Sequence, residues 1–306
     1  MRDRTPVWVS LSASAIQALP FGRYQAANAL ARFAGAPFLA RLPRDLGGAR
    51  FVCDLHDTIS REVCFTGRYE PQETQLAQRL LGPGMVVADV GANWGYFTLV
   101  CAHLVGSTGH VIALEPHPRL ASLLAGNVAT NALSQVEIIR VAAGARSEAR
   151  SFVGFDEQGG NWGVSRAARA SDVPEFECQS VALDAILDDR ALDRVDLVKI
   201  DIEGAEGDAI RGMTAGLERR CYRYAIVECH PAELGRLGTS IGEVLAPFRA
   251  SGYGGWRIDH SAEMHRRASS GAVATADLLA PIDDRALASD PWPHVLWVAP
   301  GEALPA

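Results

Sequence analysis

The chain has 306 residues and a formal net charge of −7, with 48% hydrophobic and 21% charged residues. This composition is typical of a globular protein and leaves little room for extensive disorder. No segment is dense in lysine and arginine, and binding to a phosphate backbone needs cations gathered on one surface. We therefore expect no nucleic-acid partner, and one large α/β domain with additions is the simplest organisation at this length.

The first 80 residues precede the regularly patterned part of the sequence. We predict an N-terminal extension over 1–80, largely helical and covering the acceptor side of a domain over 81–306, with the boundary at the turn-forming stretch Leu81–Gly84. Arg23–Arg41 is predicted to form an amphipathic helix that packs on its own domain, with a peripheral membrane contact as the alternative. The apolar run Val7–Leu11 is too short to span a bilayer, and we expect a cytoplasmic protein.

From residue 85 onward, apolar runs alternate with helical patterns, which is typical of a doubly wound parallel sheet covered by helices on both faces. A polar, glycine-rich stretch between Ala145 and Gln179 is predicted to be a hairpin or a lid over a ligand, and it includes Trp162. The predicted strands are Met85–Val90, His110–Glu115, Val136–Val141, Val195–Ile202, Tyr224–Cys229, Tyr253–Asp259 and His294–Ala299.

A glycine-containing turn follows the first of these strands, in the sequence Asp89-Val90-Gly91-Ala92-Asn93-Trp94-Gly95. Glycines suit such a turn because backbone N–H groups can then approach a ligand without a Cβ in the way. A dinucleotide site would show G-x-G-x-x-G, but Asn93 and Tyr96 stand where its second and third glycines belong. The turn therefore favours a nucleotide-like ligand other than NAD.

Glu115 ends the second predicted strand, 24 residues beyond Gly91. A carboxylate at this position can accept hydrogen bonds from two ribose hydroxyls, in nicotinamide cofactors and in S-adenosylmethionine (SAM) alike. The alternative is a structural carboxylate that begins the helix after Pro116.

Two further groups of acidic residues follow later strands. Asp201 ends a central strand, where open α/β sheets bind ligands, and Glu203 and Glu206 follow it; Glu206 is expected only to satisfy helix N–H groups. Glu228 and His230 end the next strand, and His230 is a candidate general base because imidazole titrates near neutral pH. Asp201 and Glu228, together with His230, are also a candidate site for Mg²⁺.

The combined motifs resemble the FkbM family of methyltransferases. The resemblance covers about residues 51–230 and rests on Phe65–Glu73, the turn Asp89–Gly95, Glu115-Pro116, Asn127, Asn131 and the stretch Asp196–Glu206. It implies a class I methyltransferase (Rossmann-like) fold, namely α/β and doubly wound, with a mostly parallel seven-stranded sheet, an antiparallel last strand and an N-terminal helical and strand extension. It also implies SAM as methyl donor and, as acceptor, a hydroxyl of a sugar or another small natural product.

The resemblance assigns roles to individual residues as well. Asp89, Gly91, Asn93 and Gly95 belong to the donor-binding motif, Glu115 holds the ribose, and Asp201 with Glu203 flanks the acceptor. Ala143 stands near the expected adenine position, where many proteins of this fold have an acidic residue. The predicted acceptor and lid residues are Tyr69, Glu70 and Trp162. Two alternative functions are an NAD-type oxidoreductase and a SAM-binding relative without catalytic activity.

Overall fold

The computed structural model describes residues 2–19, 22–154, 166–168 and 172–304. The extension contains four helices and a hairpin: α1 (Val7–Gln17), α2 (Arg23–Leu30), β1 (Phe38–Arg41), β2 (Arg50–Cys53), α3 (Thr58–Thr66) and α4 (Pro71–Leu80). The helix predicted over Arg23–Arg41 is thus shorter, and its last four residues form β1. Pro37 explains the difference, because proline disfavours helical geometry at the residue before it.

The remaining strands form one large and one small sheet. They are β3 (Val86–Val90), β4 (His110–Leu114), β5 (Val136–Ile139), β6 (Ala142–Ala143), β7 (Glu148–Val153), β8 (Arg166–Ala167), β9 (Phe176–Val181), β10 (Val195–Ile200), β11 (Tyr222–Glu228), β12 (Gly254–Ile258), β13 (Leu279–Pro281) and β14 (His294–Val298). The helices between them are α5 (Tyr96–Val105), α6 (Pro118–Thr130), α7 (Leu183–Asp188), α8 (Glu206–Arg211), α9 (Thr214–Glu218), α10 (Pro231–Arg236), α11 (Ile241–Ala250), α12 (Ala262–Ser270), α13 (Thr275–Leu278) and α14 (Asp284–Ser289).

The large sheet has the strand order β5-β4-β3-β10-β11-β14-β12-β13. Strands β5 to β11 in this order are mutually parallel, and β14 runs antiparallel to both of its neighbours. The predicted doubly wound sheet with an antiparallel last strand is confirmed. The structure adds an eighth strand, β13, which is only three residues long and too short to give an alternation signal in the sequence.

The central strands are buried on both faces, which explains their continuous apolar sequences. Every residue of β10 is buried, and two adjacent residues of this strand, Leu197 and Val198, belong to different hydrophobic clusters. The same alternation separates Val87 from Ala88 in β3. Because the chain runs from β3 to β4 on one side and later returns to β10 on the other, β3 and β10 border the point where parallel sheets of this kind bind ligands.

The small sheet, in the order β6-β9-β7-β8, occupies the polar stretch predicted to be a hairpin or lid, and β7 and β9 pair antiparallel. Trp162 lies outside the described residues. In the described ranges, no helix combines the length and the apolar character needed to cross a bilayer.

Two asparagines, Asn127 of α6 and Asn131 at the C-terminal cap of that helix, join the extension to the domain. Asn127 Oδ1 accepts a hydrogen bond from the backbone N–H of Val52 at 2.9 Å, and Asn131 Oδ1 accepts one from the N–H of Arg50 at 2.8 Å. Their amide groups donate in turn, Asn127 to the carbonyl of Trp94 and Asn131 to that of Arg50. Two asparagines spaced four residues apart thereby supply hydrogen-bond partners to alternate residues of strand β2.

Candidate functional site

A cavity of about 300 Å³ opens at the carboxyl ends of the parallel strands, between β3 and β10. Its volume lies at the lower end of the range for small-molecule sites. It brings together most of the predicted site residues: Tyr69, Gly91, Asn93, Glu115, Ala143, Asp201, Glu203, Glu228 and His230. Residues separated by more than 150 positions in the chain therefore line the same cavity.

The turn after β3 requires glycine at position 91. Gly91 has φ of +89°, and a Cβ there would lie 2.0 Å from the carbonyl oxygen of Asp201. Gly95 also has positive φ, at +101°, but its missing side chain leaves room for Leu124 of α6, and Gly95 does not border the cavity. Gly91 thus shapes the site directly, whereas Gly95 sets how α5 begins against α6.

Glu115 is 5% exposed and accepts two backbone hydrogen bonds, from the N–H groups of Asn93 and His117, both at 2.8 Å. Burial raises the pKa of Glu115 to about 7, although these hydrogen bonds oppose the shift. A carboxylate has about four acceptor sites, so further hydrogen bonds from ligand hydroxyls remain available. Glu115 therefore orders the start of α6 and also faces the cavity, so its position is compatible with both sequence interpretations.

Beyond Glu115 the cavity is mostly apolar. Ala143 borders this part of the cavity, together with residues that were not predicted as site residues from the sequence: Pro116, Leu120, Val141, Ala142 and Phe152. Phe152 comes from β7 of the small sheet, and its ring stacks on Phe176 with centroids 5.3 Å apart. The lid-like segment thus supplies an aromatic wall, a contact that no local motif could indicate.

At the opposite end, a buried lysine organises the acidic residues. Lys199 is 4% exposed, and its Nζ lies 2.8 Å from Asp201 Oδ2 and 3.1 Å from Glu70 Oε2. Burial alone would raise the pKa of Asp201, but the Lys199 charge and hydrogen bond outweigh it and lower that pKa. Asp201 is therefore ionised at neutral pH, and its pairing with Lys199 was not predicted from the sequence.

Glu70 and Asp89 lie behind the glycine turn. Both border a smaller cavity of about 30 Å³ beside Lys199, and neither lines the main cavity. Asp89 is 2% exposed and accepts a hydrogen bond from Thr98 Oγ1 at 2.5 Å. Burial raises the pKa of Asp89 to about 6. The positions of these two carboxylates indicate support of the turn and of Lys199.

His230 is surrounded by three carboxylates. Its Nδ1–H donates to Glu206 Oε1 at 2.5 Å, and its Nε2 lies 3.5 Å from both Glu203 Oε2 and Glu228 Oε1. Burial would lower the pKa of His230, but the Glu206 hydrogen bond and the charges of Glu203 and Glu228 raise it to about 10. His230 is thus an imidazolium at neutral pH, and Glu206 has a partner beyond the helix N–H groups expected from the sequence.

The predicted Mg²⁺ ligands do come together, since Asp201, Glu228 and His230 each place one ligand atom within 4.8 Å of the others. Two features oppose a magnesium ion there. The ammonium group of Lys199 already neutralises Asp201 at 2.8 Å. His230 holds a proton, and Mg²⁺ prefers oxygen ligands. These residues therefore fit Mg²⁺ poorly.

A second buried cluster lies next to the site and was not found from the sequence. Glu73 Oε1 is 2.6 Å from His260 Nε2 and 2.9 Å from His294 Nδ1, and the two imidazole rings stack with centroids 3.8 Å apart. Nε2 of His294 is 3.6 Å from Glu228 Oε1, which borders the cavity. The cluster therefore connects α4 of the extension to the acidic end of the site.

Comparisons with known proteins find relatives among the methyltransferases. Residues 89–254 match the family model described as Methyltransferase FkbM domain. The 31-O-demethyl-FK506 methyltransferase FkbM of Streptomyces tacrolimicus is 30% identical, with 56% of this chain and 74% of that protein aligned. A protein-L-isoaspartate O-methyltransferase of Methanothrix thermoacetophila is 35% identical over 31% of this chain, and the chain spans only 41% of that relative's length.

Solved structures of methyltransferases resemble the chain more distantly. The TehB-like SAM-dependent methyltransferase from Corynebacterium glutamicum aligns with a TM-score of 0.40 and 11% identity, covering 78% of this chain and 93% of that one.

Proposed function

This chain belongs to the FkbM methyltransferase family, and on that premise we propose that it is a SAM-dependent O-methyltransferase. Its acceptor would be a hydroxyl group of a saccharide or another small natural product. The observation that carries the proposal is the single cavity that joins the Gly91 turn and Glu115 at one end to Asp201, Glu203 and Glu228 at the other. The Streptomyces relative is named a 31-O-demethyl-FK506 methyltransferase, and this name supports an oxygen atom as the methyl acceptor.

The cavity suits an adenosine-containing cation. The Glu115 carboxylate has acceptor capacity for ribose hydroxyls, and the apolar walls near Ala143 and Phe152 suit a flat aromatic base. Ionised Asp201 would favour a positively charged sulfonium. We propose that Gly91 and Asn93 hold the amino-acid end of the donor, since both belong to the turn after β3 and line the cavity.

We propose that the acidic end binds the acceptor. SAM supplies an electrophilic methyl group, so the protein's task is to orient the acceptor hydroxyl, exclude water and remove a proton. Asp201 would accept a hydrogen bond from the hydroxyl, because Lys199 holds it in the ionised form. Tyr69, which borders the same cavity, would contact the acceptor.

The proton acceptor that best fits the site is Glu203. Burial raises the pKa of Glu203 to about 7, where a general base works efficiently near neutral pH. His230, the base expected from the sequence, holds a proton at this pH and would instead fix Glu203 and Glu228 in place. Glu228 would donate a hydrogen bond, since burial and the charge of Asp201 raise its pKa well above the usual range.

Calorimetric titration of the purified protein with SAM, S-adenosylhomocysteine and NAD tests the donor. We expect micromolar affinity, on the order of −8 kcal/mol, for the first two and no binding of NAD. The Glu115→Ala variant should lose this affinity, while Glu263→Ala, which changes an exposed carboxylate of α12, should keep it. Binding of NAD alone would favour an oxidoreductase and contradict the proposal.

The acceptor is then sought with SAM labelled in its methyl group, offered with saccharides and hydroxylated natural products. Transfer of label to a hydroxyl supports O-methylation. Donor binding with transfer only to nitrogen or carbon atoms would overturn the acceptor class while leaving the donor site intact. Donor binding without any transfer across the panel would favour the non-catalytic alternative.

A further inference from the structure

The segment between residues 7 and 33, which contains α1 and α2, exposes several large apolar side chains. In the described part of the chain, nine large hydrophobic side chains are exposed, and six of them lie between residues 7 and 33. These six are Val7 (76% exposed), Leu11 (67%), Phe33 (56%), Tyr24 (47%), Trp8 (38%) and Leu19 (38%). Single exposed apolar residues are ordinary, but a concentration of this kind marks an interaction surface.

We call this exposed apolar segment the α1–α2 surface. The opposite sides of α1 and α2 pack on the protein itself. Both α1 and α2 pack against α3 and against each other. Val9 and Ile16 of α1 and Ala27 of α2 are buried in the hydrophobic core. Val7 and Leu11 lie one helical turn apart on the opposite side of α1, so they face away from the domain.

The outer side of α1 is also less polar than its serines imply. The helix contains no charged residue. Ser10 Oγ donates to the carbonyl of Pro6 at 3.5 Å, and Ser14 Oγ donates to that of Ser10 at 3.1 Å. Hydroxyl groups satisfied by their own helix are less costly to remove from water.

The part of the sequence that contains these side chains is positively charged, although the chain as a whole has a net charge of −7. Residues 1–44 contain six arginines, one aspartate, and no lysine, glutamate or histidine. Arg2, Arg4 and Arg32 are exposed, and the Arg32 guanidinium lies 4.9 Å from the centre of the Phe33 ring. An apolar surface bordered by arginines matches the interface of an anionic bilayer, and its charge opposes pairing with a second copy of itself.

From these observations we propose that the α1–α2 surface docks the protein onto the surface of an anionic lipid membrane. The apolar side chains enter the interfacial region, and the arginines contact lipid phosphates. Because α3 borders the cavity through Ile59, docking holds the cavity about one helix diameter, roughly 10 Å, from the bilayer. This surface is separate from the proposed donor and acceptor sites.

Vesicle flotation tests the proposal with the whole protein. Vesicles are made of phosphatidylcholine alone or with about 30% phosphatidylglycerol, in about 0.1 M and 0.5 M NaCl. We expect binding to the anionic vesicles, about tenfold weaker at the higher salt concentration, and little binding to neutral vesicles. No binding to anionic vesicles at the lower salt concentration would overturn the proposal.

The matched variants are a triple replacement, Val7→Gln with Leu11→Gln and Phe33→Gln, and a control, Val173→Gln with Leu237→Gln. The control residues are 85% and 58% exposed and lie outside the extension. The triple variant should bind anionic vesicles at least about tenfold more weakly, and the control should bind as the wild type does. Equal binding by the triple variant and the wild type would contradict the proposal.

Two further measurements cover misfolding and self-association. Trp8→Phe retains an apolar side chain, so it should still bind vesicles but lose the blue shift of tryptophan fluorescence that accompanies binding of the wild type. If the wild type binds vesicles without this blue shift, Trp8 does not enter the bilayer and the proposal is contradicted, whether or not the triple variant is stable. The contrary result in light scattering is twice the chain mass for the wild type and one chain mass for the triple variant. That result would identify the surface as an interface between two copies of the chain and would overturn the membrane-docking proposal.

Discussion

The protonation of His230 can be tested by removing its nearest carboxylate. His230 Nδ1 lies 2.5 Å from Glu206 Oε1, and the pKa of His230 is raised from 6.5 to about 10. A shift of that size corresponds to at most about 5 kcal/mol of preferential interaction with the protonated ring. Glu206→Gln keeps a side-chain oxygen for the N–H of Gly204 but removes the charge, so we expect about 3 kcal/mol of lost stability at pH 6.

The pH dependence of stability gives the sign of this effect. A histidine with a raised pKa in the folded state contributes its full stabilisation below pH 6.5 and loses it as the pH rises toward 10. The free energy of unfolding of the wild type, measured with urea between pH 6 and 9, should therefore contain a component that falls as the pH rises. In Glu206→Gln that component should be much smaller, whereas an exposed control, Glu263→Gln, should behave as the wild type does.

The direct assay is the NMR titration of the His230 imidazole, assigned by comparison with His230→Gln. We expect no titration of the wild-type ring below pH 8, and a clearly lower midpoint in Glu206→Gln. A wild-type midpoint near 6.5 would refute the electrostatic reasoning and restore His230 as a general base.

Four other predictions concern the proposed donor and acceptor sites. Gly91→Ala should lower the free energy of unfolding by more than about 2 kcal/mol, because its Cβ would meet the Asp201 carbonyl at 2.0 Å; an unchanged urea midpoint would contradict this. Asp201→Asn should largely retain SAM affinity in calorimetry while turnover falls; a proportional loss of both would place Asp201 in the donor site. Turnover should rise with pH through about 7, the pKa of Glu203, and Glu203→Gln should lose this rise; the same profile in the variant would exclude Glu203 as the base. Chelation of divalent cations should leave turnover unchanged, since Lys199 neutralises Asp201; restoration of activity by Mg²⁺ alone would show that the metal is needed.

The order of the main strands and the site residues at their ends could be predicted because both depend on local pattern. Buried parallel strands have continuous apolar sequences, and their carboxyl ends are where Glu115, Asp201 and Glu228 stand. Gly91 was recognisable because it stands in a glycine-containing turn after a strand, although the atom that leaves no room for its Cβ, the carbonyl oxygen of Asp201, follows a different strand. Each of these residues stands at a recognisable position in a local strand or turn pattern.

The electrostatic partners could not be predicted in the same way. Glu206 belongs to a helix N-terminus, so its pairing with His230 depends on how α8 and α10 lie together. Lys199 is within an apolar strand, and its second partner, Glu70, comes from the extension. Local spacing contains no information on such contacts, and they determine which of the predicted side chains holds a proton. The boundary at residue 81 and the roles of the site residues remain predictions.

Asn127 of α6 and Asn131, the C-terminal cap of that helix, also bear on solubility. Among the described residues, β2 pairs with another strand, β1, along one edge, and an open opposite edge would be a template for intermolecular pairing and aggregation. Asn127 and Asn131 occupy the N–H groups of Val52 and Arg50 on that side with side-chain amides, which cannot propagate a ladder to another chain. These side chains thus cover the open edge of β2, and unlike a further strand they present no new edge to a neighbouring molecule.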